Sequence, residues 1–257
     1  MVTLPSRKVF VGCPLAGEDA ALVEGWAAAF RALAPGGVVF HLCATLPASD
    51  AEAAAACEAA GVTQAVFPRL PRRRKGGALS AAEGRENAAA LALQRTRLVR
   101  EALHANAQVV WFVDAGVRVS PAIWEGVDAQ LRGGVPVVVV PTPAGLGGLG
   151  PPPRVLAIPE GGLVLCNPRR LSALAPGEGV PILGGGMGCA AVALWAALQV
   201  RFVFGRLRVP GEEKALAGED IGFFYGALKA GLAVRMPPGL GGALLPAEGP
   251  EGGPAPG

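Results

Sequence analysis

Apolar residues along the chain alternate between short unbroken runs and longer stretches where they recur every three or four positions. The runs Val9–Val11, Val38–Leu42, Val62–Phe67 and Val109–Val113 predict strands. Between them, Glu18–Leu33 carries Leu22, Trp26, Phe30 and Leu33 at helical spacing. Ser49-Asp50 is a cap for a second helix over Ala51–Ala60, stopped at Gly61. Glu83–His104 is the longest helical stretch, with Leu91, Leu93, Leu98 and Leu103 as its larger apolar residues. A β-α-β-α-β order predicts a parallel sheet with right-handed crossovers. Val109–Val113, rich in β-branched and aromatic residues, reads as its central strand, buried on both faces. That run stops on Asp114, and Ser120-Pro121 then supplies an N-cap and first position for the next helix.

In the second half, Pro121–Leu131 reads as a helix and Val135–Val140 as a strand. Arg154–Ile158 and Gly162–Cys166 are candidate paired strands, and Asn167–Leu174 a short helical turn. Gly184–Cys189 is rich in glycine and leads into an expected alanine-rich helix through Leu198. Arg201–Phe204 and Ala233–Met236 read as strands flanking a helix that Glu219-Asp220 opens and Gly231 ends. The expected fold class is α/β: a single Rossmann-like domain, its mixed and mainly parallel sheet flanked by helices. It would span residues 1–236, with residues 237–257 a disordered tail rich in glycine and proline.

At 257 residues and 51% apolar, the chain can bury a large core. A net charge of +3 does not demand nucleic acid or an anionic membrane as partner. Cys13, Cys43, Cys57, Cys166 and Cys189 lack CxxC spacing, which argues for reduced thiols and against a zinc site. Without a secretory segment or an integral membrane segment, a soluble, cytoplasmic protein is expected. The loop Pro141–Pro153 lacks the GK[ST] ending of a P-loop. The basic loop Pro68–Gly77, with Arg69, Arg72, Arg73, Arg74 and Lys75, is either a solvated loop or one beside a phosphate-bearing ligand.

Asp114 follows a central strand, at the sheet end where open α/β folds bind ligands, or it caps the next turn. Glu219-Asp220 likewise either serves chemistry or favours its helix through the dipole. The stretches VVWFVDAGVRVSP, ILGGGMGCAAVALW and GEDIGFFYGALKAG, in that order, resemble the motifs of nucleotide-sugar glycosyltransferases of the GT-A fold. They look like that family's Asp-x-Asp strand, its glycine-containing acceptor segment and its Glu-Asp helix. RENAAALALQRTRLVREAL resembles the Arg-x-Asn helix that precedes the metal motif in several such families.

The resemblance implies a glycosyltransferase using a nucleoside-diphosphate sugar and a glycan or other hydroxyl acceptor, organised as a nucleotide half (about 1–120) and an acceptor half (about 121–236). It implies Asp220 as the base and Glu219 as the residue that positions the acceptor or Asp220, with inversion at the sugar. Gly12, Cys13, Pro14, Arg85, Asp114, Ala115, Gly116, Gly185, Gly186 and Met187 would border the nucleotide sugar. Asp114 would hold a divalent metal, Mn²⁺ or Mg²⁺. The motif departs from the family's at Gly116, where the second carboxylate is absent. Asp114 alone could still anchor a metal–diphosphate, or Arg118 and Arg72–Lys75 could offset the leaving-group charge. Two alternatives stay open: a non-catalytic nucleotide-binding or scaffold domain of the same fold, and a nucleotidyltransferase. Against the latter, Gly12–Gly17 lacks the expected cation.

Overall fold

The computed structural model describes residues 7–15, 17–33, 36–67, 81–142, 155–157, 163–173, 179–212, 215–241, 243 and 244. The basic loop at 68–77 and most of the loop at 141–153 lie outside the described residues. The first half runs β1 (Arg7–Pro14), a 3-10 turn (Gly17–Leu22), α1 (Val23–Leu33), β2 (Val38–Pro47), α2 (Ala51–Ala59), β3 (Thr63–Phe67), α3 (Ala81–His104) and β4 (Val109–Val113). Then follow α4 (Pro121–Arg132), β5 (Val137–Val139), β6 (Val155–Ala157), β7 (Val164–Cys166), α5 (Pro168–Ala173) and β8 (Val180–Pro181). The chain continues through β9 (Cys189–Ala193), α6 (Leu194–Gln199), β10 (Gly205–Leu207), β11 (Leu216–Gly218), α7 (Glu219–Lys229) and β12 (Val234–Met236).

An eight-stranded sheet in the order β3-β2-β1-β4-β9-β5-β12-β8 forms the centre. β1, β2, β3 and β4 are mutually parallel, as are β5 and β12. β9 runs antiparallel between β4 and β5, and β8 is antiparallel to β12. The expected α/β architecture, one mixed and mainly parallel sheet flanked by helices, is the one observed, with β4 fully buried inside it. Alternation along β4 sends Val109, Trp111 and Val113 into the layer beneath α1 and α4, where Trp111 meets Phe30 and Trp124. Val110 and Phe112 enter the opposite layer, where Phe112 meets Phe202. Caps fix the helices where expected: Asp50 accepts from the Ala53 N–H at 3.1 Å, and Ser120 accepts from the Ile123 N–H with Pro121 at the first turn.

Two expectations are corrected. Cys189–Ala193 is not the start of a helix but the antiparallel strand β9, and the helix begins only at Leu194. Alanine favours helices intrinsically, but here small residues fit a strand covered on both faces between two others. Arg201–Phe204 has no regular structure, and the strand β10 starts at Gly205. That segment is held by tertiary contact: Gly222 of α7 sits so close to the Val203 carbonyl that a side chain there would collide with it. Of the stretch expected as a tail, Pro237 and Gly241 are buried and Leu240 and Leu244 pack on the core; residues 245–257 lie outside the described set.

All five cysteines are free thiols, and only Cys166 is not buried. Burial pushes the Cys43 thiol up to about 12, Cys57 to about 11 and Cys189 to about 12. The fold therefore keeps these thiols protonated where an unfolded thiol, near ~8.5, has ionised. Their contribution to stability is whole below about pH 8.5 and is lost as pH rises through those values. Urea midpoints should accordingly fall between pH 8.5 and 10.5, roughly the interval above the free-thiol value, and a Cys43→Ala/Cys57→Ala/Cys189→Ala chain should show a shallower fall. At pH 8, roughly half a unit below the free-thiol value, a disulfide reagent should titrate Cys166 first, though more slowly than a free thiol because burial raises it, and the others only after unfolding.

Candidate functional site

The carboxyl end of β4 is where the two halves of the chain meet. The Asp114 N–H donates to the Gly188 carbonyl at 2.9 Å, tying β4 to the turn before β9. The Asp114 carbonyl accepts from the Val117 N–H at 2.9 Å. The backbone thus closes the following turn, and the Asp114 carboxylate, 29% exposed, is left for other partners. On the other side of β9, the Val140 N–H donates to the Cys189 carbonyl at 2.9 Å, which brings the residues after β5 alongside.

One partner is Arg95, on α3. The inward stripe of α3 runs Ala88, Ala92, Arg95, Val99 and Ala102, so the arginine occupies a core position among small apolar residues. Its side chain is only 3% exposed. Arg95 Nη1 is paired with Glu219 Oε1, and Nη2 lies 3.9 Å from Asp114 Oδ1. One buried guanidinium therefore stands between a carboxylate at the end of β4 and another at the start of α7. The contact to Glu219 is a charge-assisted hydrogen bond, while that to Asp114 is longer and purely coulombic. Arg95 Nε has no hydrogen-bond partner among the described residues.

Gly188 completes the arrangement. A Cβ built on it would lie 2.9 Å from both Asp114 Oδ2 and Thr142 Oγ1, so only glycine lets these two oxygens approach the backbone. Thr142 is 2% exposed, and its hydroxyl has no partner among the described residues. Gln94, the neighbour of Arg95, donates from Nε2 to the Leu15 and Thr45 carbonyls at 2.9 and 3.2 Å, which pins α3 across the ends of β1 and β2.

The sequence-derived candidates divide. Asp114 and Glu219 converge on Arg95, and Gly116 is exposed beside Asp114. Asp220 is 6% exposed, and its Oδ1 accepts from the Ile221 N–H at 2.8 Å in the first turn of α7. Gly12 has a packing reason instead: a Cβ there would meet Leu98 of α3 at 2.9 Å. Cys13, Pro14, Ala115, Gly186 and Met187 are buried. Gly185 lies against Val139, where a Cβ would come within 2.8 Å. Arg85 is exposed, ten residues before Arg95 and so ~15 Å away along the helix axis. Arg118 lays its guanidinium over Gly25 of α1. The residues that sequence reasoning missed are Arg95, Thr142 and Gly188. Arg95 had a signal, a cation on the apolar stripe of α3; Thr142 had none.

Among the described residues no three His, Cys, Asp or Glu side chains gather as a metal site. One partly exposed carboxylate stands at the end of β4, and beside it a Cβ on Gly116 would meet, among the described residues, only Leu22 Cδ1, at 3.9 Å. Mg²⁺ takes one or two carboxylates and completes its shell with phosphate oxygens and water. Asp114 therefore fits an ion that arrives with a diphosphate better than a resident one.

No family model and no curated protein sequence matches the chain. Similar solved structures include glucosyl-3-phosphoglycerate synthase from Mycobacterium tuberculosis in complex with uridine diphosphate, at 16% identity and a TM-score of 0.49, covering 90% of this chain and 69% of that one. The same enzyme with Mn²⁺, uridine diphosphate and glucosyl-3-phosphoglycerate scores 0.46 at 15% identity, with the same coverages of 90% and 69%. A CMP:2-keto-3-deoxy-manno-octonic acid synthetase complexed with CTP scores 0.43 at 13% identity, covering 90% of this chain and 89% of that one.

Proposed function

We propose that this chain is a GT-A-type glycosyltransferase that moves a sugar from a nucleoside-diphosphate sugar to a hydroxyl acceptor. The observation that carries the proposal is the convergence of Asp114 and Glu219 on buried Arg95. A motif for the donor diphosphate and one for the acceptor belong to a single electrostatic unit in this account. The nucleotide half is residues 1–120 and the acceptor half 121–236.

Asp114 would hold a divalent ion entering with the diphosphate, and that ion would offset the charge that grows on the leaving oxygen. Asp220 is the base that takes the acceptor proton as the hydroxyl attacks. Glu219 is instead assigned the positioning role, because its carboxylate is engaged by the buried Arg95 guanidinium. It orients the first turn of α7, and with it Asp220, against α3. Calorimetry with uridine, guanosine, cytidine and adenosine diphosphates, with and without Mn²⁺, tests nucleotide binding. Release of nucleoside diphosphate from a nucleotide sugar then tests turnover. Failure to bind any of them would remove the proposal.

The non-catalytic alternative draws on two observations: Arg95 already stands against the Asp114 charge, and Gly116 brings no second carboxylate. Gly116→Asp separates the two. Among the described residues the space beside Gly116 accepts a side chain, so the variant should fold normally. It should tighten Mn²⁺-dependent nucleotide binding by about tenfold, roughly one added charge-assisted contact. Unchanged binding would speak for a chain that does not use metal at Asp114.

A further inference from the structure

Two surface features coincide on α6, the segment after it and α7. Trp195 and Leu198 are each 53% exposed on α6, followed by exposed Val203 and Phe204, while Tyr225 and Leu228 are 55% and 52% exposed on α7. The segment after α6 links that helix to α7. Val200 packs against Gly226, between Tyr225 and Leu228, and Val203 packs against Gly222 one turn earlier. A soluble surface rarely leaves that many large apolar side chains together without a use for them.

The charge pattern says what meets them. From Cys189 to Gly211 the chain has no Asp or Glu, yet it carries Arg201, Arg206 and Arg208, all exposed. From Ile221 to Met236 it again has no acid, and exposed Lys229 sets its Nζ 4.6 Å from the Tyr225 ring centroid. A second copy meeting this face across a two-fold axis would set the same cations against each other. A single-stranded nucleic acid could stack on Trp195, Phe204 and Tyr225, but it would leave aliphatic Leu198, Val203 and Leu228 facing water. A bilayer with anionic headgroups satisfies both features. Aromatic rings sit at headgroup level, aliphatic side chains reach the acyl boundary, and the cations meet phosphates.

We propose that the face formed by α6, residues 200–208 and the outer side of α7 docks the protein peripherally on an anionic lipid bilayer. None of the described helices is long and apolar enough to cross a membrane. The acceptor-side helix α7 would then lie at the bilayer surface, with Glu219 and Asp220 at its first turn.

The experiment uses the full chain and vesicles of phosphatidylcholine alone or mixed with phosphatidylglycerol. The protein should sediment with the mixed vesicles at low salt, release as salt is added, and ignore pure phosphatidylcholine. Of the four tryptophans, Trp26, Trp111 and Trp124 are buried, so a blue shift of emission on vesicle binding reports Trp195 alone. Trp195→Phe should keep sedimentation and lose the shift. Arg201→Gln/Arg208→Gln should weaken binding about thirtyfold, from ~1 kcal/mol for each cation. Leu198→Glu/Tyr225→Glu should abolish it with the near-ultraviolet dichroism of the core unchanged. No sedimentation at low salt, equal binding to neutral vesicles, or binding that survives the Leu198→Glu/Tyr225→Glu change would each overturn the proposal. So would a solution dimer that the latter variant dissociates and that binds no vesicle.

Discussion

An Arg95→Met chain should be less stable than the parent by about 3–5 kcal/mol, the usual cost of leaving a buried charge without its partner. Methionine keeps most of the volume and apolar stem of arginine, so little of the loss comes from a cavity. What it removes is the partner of Glu219, a carboxylate only 9% exposed. If the pair were a surface ion pair, the loss would be about 0–1 kcal/mol. The burial of both side chains sets the larger expectation. The double variant Arg95→Met/Glu219→Gln should recover much of the loss, since a neutral amide costs less to bury than an orphaned carboxylate. Urea midpoints at constant denaturant slope measure both. A loss below 1 kcal/mol, about the surface-pair value, or a double variant no better than the single one, would show that the two groups do not depend on each other. Arg95→Lys is informative as well. Lysine restores the charge but not the two-pronged reach, so it should rescue stability in part while leaving Asp114 and Glu219 uncoupled.

The first half of the fold was legible because its signals are local. Val109–Val113 is apolar throughout, and only a strand buried on both faces uses such a run. The Ser120-Pro121 start of α4 needs nothing beyond its own hydrogen bond. The second half was harder because tertiary context overrides propensity there. Cys189–Ala193 looks helical by composition, and it becomes a strand because β4 and β5 hold the sheet open for it. Phe202 is buried against Phe112 and Phe223 in a segment without regular structure, so its apolar character predicted a strand that does not form.

The candidate site was legible in its acids and not in their connection. Asp114 and Glu219 stand at element boundaries, where the sequence marks them. Arg95 lies inside a helix holding several arginines, and only its position on the apolar stripe separates it from exposed Arg97 and Arg100. Glycine content misled in the opposite direction. Gly12 and Gly185 are spaces for Leu98 and Val139, and Gly188 is the one that admits Asp114. Which neighbour a glycine makes room for depends on contacts distant in sequence, so counting glycines cannot sort them.

Asp220→Asn is the substitution expected to cost most activity for least structure. The asparagine carbonyl can still accept from the Ile221 N–H, as Asp220 Oδ1 does at 2.8 Å. Lost helix-dipole attraction should amount to about 0.3–1 kcal/mol of stability. Removal of the proposed base should lower turnover ~10²-fold or more while nucleotide binding stays close to the parent's. Asp114→Asn should differ in kind, because it weakens the proposed hold on the metal–diphosphate and so lowers both binding and turnover. It also removes one of the two carboxylates facing Arg95, and the longer, 3.9 Å contact makes this the smaller structural loss. If Asp220 serves only its helix, through the dipole at the first turn that follows the Gly218 cap, asparagine should leave turnover near the parent's and cost only that stability. An Asp220→Asn chain that transfers sugar at the parent rate would end its assignment as base. Glu219 would then have to act from within its pair with Arg95, and Arg95→Lys, which loosens that pair, would raise turnover rather than lower it.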